Sequence, residues 1–338
     1  LIKQQSPLAP LGLFSIPFDA YVGEIKQELH EIKAELAGYD SRNSRVALTA
    51  LNDSEGGVRT ALDIAKEKYG AHRVAVIIGT STSGLYETEA AYAELLKTEA
   101  MPDGFDFVKQ HAYQATARFI QQELGLTGIC FAISTACSSG AKAIAAGQRL
   151  LANDLCDAVL VGGVDTLCRL TLRGFRSLEL VADVPCTPMD KNRKGISIGE
   201  AAGLLVLEKC HAENSAAMKV LSVGESSDAH HMSTPHPEGR GAALSMQNAL
   251  DLAGLQASDI DYLNLHATAT KINDAVESKA VYSVFSDSVP CSGTKGITGH
   301  TLGAAGALET IIALQALQQQ FIPGTYGLQE VDEDCHCQ

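Results

Sequence analysis

Positive charge is scarce in this sequence. Its 338 residues carry 26 Lys and Arg against 40 Asp and Glu, a formal net charge of −14. That balance argues against general nucleic-acid binding, while leaving room for a local basic patch that meets an acidic partner. No apolar run approaches the length of a membrane helix, so no membrane insertion is expected. The N-terminus lacks a signal-like stretch, and the nine cysteines lack even pairing or framework spacing. Together these point to reduced thiols in a cytoplasm. What is present is a globular composition, 46% hydrophobic and 20% charged. The length suits two ordinary domains or one large two-part fold.

Residues 129–134 form a short apolar run of strand type. Thr135-Ala136-Cys137-Ser138-Ser139-Gly140 follow, and then an Ala/Leu-rich helical pattern to about Leu151. Cys137 therefore sits where a strand turns into a helix. There the unpaired N–H groups and the positive dipole end favour a thiolate. Residues 1–23 read as loop. Helices are expected over 24–37, from 41 with Arg42 and Arg45 on its first turns, and over 57–69, 87–97, 105–124, 170–180 and 239–253. Strands are expected over 73–78, 157–164, 203–207, 220–224 and 260–265. A strand, a loop of small hydroxyl residues and a helix recur, with Cys137 before one Ala-rich helix and His300 before another. The pattern indicates an internal duplication and an α/β class.

Three blocks, TACSSG at 135–140, HATAT at 266–270 and KGITGH at 295–300, resemble in order and separation the β-ketoacyl-acyl-carrier-protein synthases. These are condensing enzymes of the thiolase superfamily. The resemblance implies a thiolase-like α/β fold of two duplicated halves, layered αβαβα. Residues 1–215 would carry the nucleophile and 216–338 both histidines. It implies a decarboxylative Claisen condensation. Cys137 would take an acyl chain from a thioester, and His266 and His300 would donate to the enolate formed from a malonyl thioester. Lys295 and Glu309 match the family's supporting lysine and carboxylate. Asp274 matches an acidic position that braces the histidine loop. Thr268 and Thr270 match hydroxyls that hold the phosphopantetheine arm, and Arg42 and Arg45 lie near a carrier-docking patch.

The partners implied are an acyl carrier protein and a second subunit, giving a homodimer or a heterodimer with a related ketosynthase-like chain. No metal or cofactor of its own is implied, since phosphopantetheine belongs to the carrier. The segments SRNSRVALTAL and IIGTSTSGLYETEAAY resemble ketosynthases of bacterial aryl-polyene clusters. A non-catalytic chain-length partner and a thiolase-type coenzyme A acyltransferase are the alternatives. His230, His231 and His236 fall in a block read as a pocket-lining loop, and Cys335-His336-Cys337 as tail. Ala267 replaces a frequent glycine, and Met189 and Lys194 depart from a Phe and an Asp. The family's opening VVITGxG strand and closing Gly-Phe-Gly-Gly-Thr/Asn loop are missing, so the sequence is expected to be part of a longer polypeptide.

Overall fold

The computed structural model describes residues 6–53, 57–210, 218–231 and 233–335. In chain order the elements are β1 (Ala9–Pro10), β2 (Tyr21–Gly23), α1 (Arg42–Asp53), α2 (Val58–Tyr69), β3 (Val74–Gly79), α3 (Leu85–Thr98), α4 (Ala115–Glu123), β4 (Cys130–Ile133), α5 (Ser139–Ala152), β5 (Ala158–Asp165) and α6 (Arg169–Ser177). Then come β6 (Ile198–Gly199), β7 (Ala201–Glu208), α7 (Arg240–Ala253), β8 (Leu263–Leu265), α8 (Lys271–Phe285), β9 (Cys291–Gly293), α9 (Lys295–Thr298) and α10 (Ala305–Gln319).

The first half is built on a sheet of order β4-β3-β5-β7. β3 is parallel to β4 and β5, and β7 closes antiparallel to β5. Every residue of β3 and β5 is buried, as expected of central strands covered on both faces. Val74, Val76 and Ile78 pack with Val46, Leu62, Phe119 and Ile120 of the outer helices α1, α2 and α4. Ala75 and Ile77 point the other way, toward Ala143 and Ile144 of α5. In the second half β8 pairs parallel with β9, and Leu250, Val281 and Phe285 of α7 and α8 cover them. Helices α5 and α10 lie between the two sheets. The layering is αβαβα, and the helix after Cys137 and the helix after His300 share the middle layer.

Backbone meets backbone in that layer. A Cβ on Gly140 would stand 2.9 Å from the Gly303 oxygen and the Ala307 nitrogen. One on Gly79 would lie 2.4 Å from the Ser139 carbonyl carbon, and one on Gly163 2.7 Å from Ala304 Cα. Only glycine permits these approaches.

Several expected elements differ. Residues 24–37 do not form one helix; a tight turn, Ala34–Tyr39, is all that is helical there. The apolar spacing is real, since Ile25, Leu29, Ile32 and Leu36 pack on the core. However, the Ile25 N–H donates to Glu200 Oε1 at 2.9 Å and the His30 N–H to Thr49 Oγ1 at 2.9 Å, so neither donor serves a helix. The segment 105–124 is split. Asp106 caps a single turn, Phe107–His111, and Ala112 is extended before α4 starts. Residues 220–224 are not a strand: they join none of the described sheets, and Val220 and Val223 pack on the core beside α5. The N-terminal stretch is more ordered than a loop, because β2 pairs with both β1 and β6.

Candidate active site

β4 ends beside β3, and the chain turns into α5 through Ala136, whose φ is +53°. The turn is tied by its own hydroxyls. Ser139 Oγ donates to the Ala136 oxygen at 2.6 Å, and the Thr135 N–H donates to Ser139 Oγ at 2.8 Å. This presents half-buried Cys137 at one wall of a cavity of about 470 Å³. His266, at the end of β8, and His300, between α9 and α10, line the same cavity with Thr268, Thr270, Phe175 and Leu178. The Cys137 sulfur and a nitrogen of each imidazole all lie within 4.8 Å of one another. The rings meet edge to face, 5.1 Å between centroids.

Each imidazole is fixed from behind. The Leu302 N–H donates to His300 Nδ1 at 3.0 Å, which leaves Nε2 carrying the proton. The His300 backbone is strapped to β6, donating to the Ser197 oxygen at 2.7 Å and accepting from the Gly199 N–H at 2.9 Å. The Lys295 ammonium donates to the His266 oxygen at 2.5 Å, sits 3.4 Å from His266 Nδ1 and is hydrogen-bonded to Glu309. Burial, reinforced by the Lys295 charge, lowers the His300 pKa to about 3 and depresses that of His266 strongly. Both rings are therefore neutral N–H donors at physiological pH, suited to a developing oxyanion.

The sulfur is a correction. A helix N-terminus was expected to favour thiolate, yet burial pushes the Cys137 thiol up to about 11. Lys295 pulls it down, while Asp165 and Glu309 push it further up. Desolvation outweighs the dipole, and the resting form is the thiol. The Cys–His–His trio is also close enough to surround a metal ion. Its chemistry does not suit one. His300 Nδ1 already accepts a hydrogen bond, so the Nε2 lone pair is blocked by its proton, and the buried Lys295 ammonium adjoins His266.

The other expected residues divide. Asp274, on α8, braces the histidine loop, accepting from the Ala269 N–H at 3.1 Å and the Met189 N–H at 2.9 Å. Thr268 and Thr270 face the cavity with their hydroxyls 3.0 Å apart. Ser233, Thr234 and Pro235 of that loop line it too, while His230, His231 and His236 do not. Arg42 and Arg45 are not a free docking patch. The Arg42 guanidinium turns inward onto buried Glu200, with only 15% of the side chain exposed, and Arg45 is held by both oxygens of Asp40 at 2.6 Å. Neither lines the cavity. Cys335 is buried in the second core, while His336 and Cys337 lie outside the described residues.

Sequence reasoning missed Glu277. Its carboxylate accepts from the His266 N–H at 2.6 Å and the Ala267 N–H at 2.7 Å. Burial raises its pKa to about 7 against the pull of those two amides. The available signal was its place one helical turn after Asp274, on the same face of α8.

A strand-end thiol and two neutral imidazoles, set in duplicated α/β halves, define a condensing enzyme of the thiolase-like fold. The family description "Beta-ketoacyl synthase, N-terminal domain" matches residues 44–212, and "Beta-ketoacyl synthase, C-terminal domain" matches 217–329. The chain belongs to the β-ketoacyl synthase family. It is 34% identical to Nodulation protein E of Rhizobium sp. (strain N33), over 86% of this chain and 74% of that one. It is also 34% identical to 3-oxoacyl-[acyl-carrier-protein] synthase 2 of Vibrio cholerae, over 85% and 71% of the two chains. A solved structure of the ketosynthase ApeO in complex with its chain length factor ApeC, from Xenorhabdus doucetiae, superposes with a TM-score of 0.88 at 38% identity. It covers 98% of this chain and 82% of that one. Among the described residues no helix is long and apolar enough to cross a membrane.

Proposed function

We propose that this enzyme condenses an acyl thioester with a malonyl-carrier thioester, using Cys137 as nucleophile. The observation that carries the roles is the thiol and two neutral N–H donors within 4.8 Å at one end of a cavity. In the first half-reaction the sulfur attacks the acyl carbonyl, a new thioester forms, and the departing pantetheine sulfur leaves with the proton that Cys137 gave up. In the second, the malonyl carboxylate leaves as CO2 and its bonding electrons become an enolate, held by the Nε2–H groups of His266 and His300. The enolate carbon bonds to the acyl carbon, and Cys137 sulfur is expelled and takes up a proton from solvent. Lys295, paired with Glu309, holds His266 in the donor tautomer. Thr268 and Thr270 receive the pantetheine arm. No metal or cofactor of the enzyme's own enters these steps.

The carrier approaches over α6, where Phe175 and the following Leu178 edge the cavity. Arg173 and Arg176 on that helix and Lys194 beside it are exposed and carry no ion pair among the described residues. They form the basic rim that the inward-turned Arg42 cannot supply. A related subunit pairs along the free edge of β4; the ApeO structure, a ketosynthase with its chain length factor, supports a heterodimer. The retained Cys137 speaks against a purely non-catalytic chain-length role, and the pair of histidines against a thiolase. We read the chain as two halves, 1–215 with the nucleophile and 216–338 with both histidines; the boundary lies outside the described residues. A cytoplasmic location fits cysteines that lack even pairing or framework spacing along the sequence. The two segments cited above favour an aryl-polyene pathway over fatty-acid synthesis. Incubation with acyl carriers followed by mass spectrometry tests the core of this reading: the acyl mass should sit on Cys137 and vanish in Cys137→Ala. Labelling of another cysteine would overturn it.

A further inference from the structure

At the end of β5 lies a carboxylate with no cationic partner among the described residues, Asp165, whose exposure is zero. It is satisfied entirely by neutral donors. Oδ1 accepts from the Thr80 hydroxyl at 2.6 Å, the Thr82 hydroxyl at 2.7 Å, the Thr82 N–H at 2.8 Å and the Ser81 N–H at 2.9 Å. Oδ2 accepts from the Gly303 N–H at 2.6 Å and shares the Ser81 N–H. These donors belong to two loops that reach the chemistry from opposite sides. Ser81 Oγ donates at 3.2 Å to the oxygen of Ala136, the left-handed residue that aims Cys137. Gly303 follows Leu302, whose N–H fixes the His300 tautomer and whose φ is +52°. A Cβ on Gly303 would stand 2.7 Å from Asp165 Oδ2, so the two backbones are drawn together as far as chemistry allows.

A buried, unpaired charge is expensive unless fully hydrogen-bonded. Replacing it with an amide would set N–H against N–H, and replacing it with an apolar residue would orphan several donors. We propose that Asp165 is a positioning residue for the condensation, a single carboxylate that fixes Cys137 and His300 relative to one another across the two halves. Its negative charge also bears on the sulfur. The charged and titratable groups that face Cys137 are Lys295 of α9, Glu309 of α10, Asp165 of β5 and the two imidazoles. Lys295 opposes the carboxylates, so loss of Asp165 shifts the balance toward thiolate.

The inference rests on the condensing function, and its test includes a readout that needs no carrier. In Asp165→Asn, Cys137 is alkylated with iodoacetamide across pH while condensation is measured in parallel. The expected result is an alkylation midpoint at lower pH, together with kcat lower by about ten- to a hundredfold at a KM near that of the parent. A midpoint unchanged while kcat falls only as the folded fraction falls would make Asp165 structural and overturn the proposal. Ser81→Ala, which cuts only the link to Ala136, covers the case in which Asp165→Asn does not fold. Its acyl loading should drop several-fold with thermal stability kept, and loading equal to the parent would overturn the proposal. A shifted alkylation midpoint in a protein that condenses no carrier substrate would uphold the role of Asp165 and count against the condensing function.

Discussion

Replacing Lys295 with Met removes a buried ammonium, its side chain 1% exposed, from beside a carboxylate 17% exposed. Glu309 is left without its partner, which costs about 3–5 kcal/mol when one member of a buried pair is deleted. The carboxyl, already raised by burial, loses the pull of Lys295 and rises further. The native variant then keeps a proton that the unfolded chain releases above its ordinary carboxylate pKa. Its stability is therefore greatest at acid pH and falls as pH climbs toward the raised native value. Adding Glu309→Leu removes the stranded acid, and an apolar pair of this kind is neutral or stabilising by about 1–4 kcal/mol. Stability should return in the double variant. Activity should not, because His266 Nδ1 and the His266 oxygen still lack the ammonium. Malonyl decarboxylation should stay down by about 10²-fold in both variants. Urea unfolding at two pH values and a decarboxylation assay on both variants decide it. Recovery of decarboxylation in the double variant would refute the view that Lys295 holds the His266 tautomer.

His266→Ala or His300→Ala should slow decarboxylation by about 10²–10³-fold while Cys137 still accepts acyl groups, as a labelled-malonyl assay would read. Glu277, whose pKa is raised from 4.5 to about 7, keeps a proton in the native state that the unfolded state loses, so stability declines as pH rises between those values. Glu277→Gln should flatten that decline by up to about 3 kcal/mol, measured as urea midpoints across pH. Charge reversal of Arg173 and Arg176 to Glu should raise KM for carrier-bound substrate several-fold and weaken its salt dependence. Pantetheine thioesters should react as before, and equal loss with both substrates would count against docking at α6.

The reacting groups were legible because each sits at a local boundary: Cys137 between β4 and α5, His266 directly after β8, and His300 just before the Ala-rich α10. Cys137, His266 and His300 all stand at such element ends. What escaped depends on partners distant in sequence. The spacing of Ile25, Leu29, Ile32 and Leu36 reports true burial but not backbone conformation, because Glu200 takes the Ile25 N–H. The same Glu200 draws Arg42 inward, so an arginine that reads as exposed helix start is structural. The state of the Cys137 thiol escaped for another reason. The helix dipole can be inferred from local order, whereas the desolvation that outweighs it is a property of the assembled cavity.

The glycine contacts between α5, α10 and the ends of β3 and β5 carry an evolutionary consequence. Backbone against backbone leaves no side chain to enlarge, shrink or repack at these contacts. Descendants of this sequence that handle a longer or shorter chain have little freedom there, since a single added methyl at Gly79, Gly140 or Gly163 would collide with main-chain atoms. Divergence in substrate length is thereby channelled to the walls, where Phe175, Leu178 and Ile196 face the cavity with side chains that can be exchanged. The middle layer is frozen by geometry while the cavity lining is free to drift.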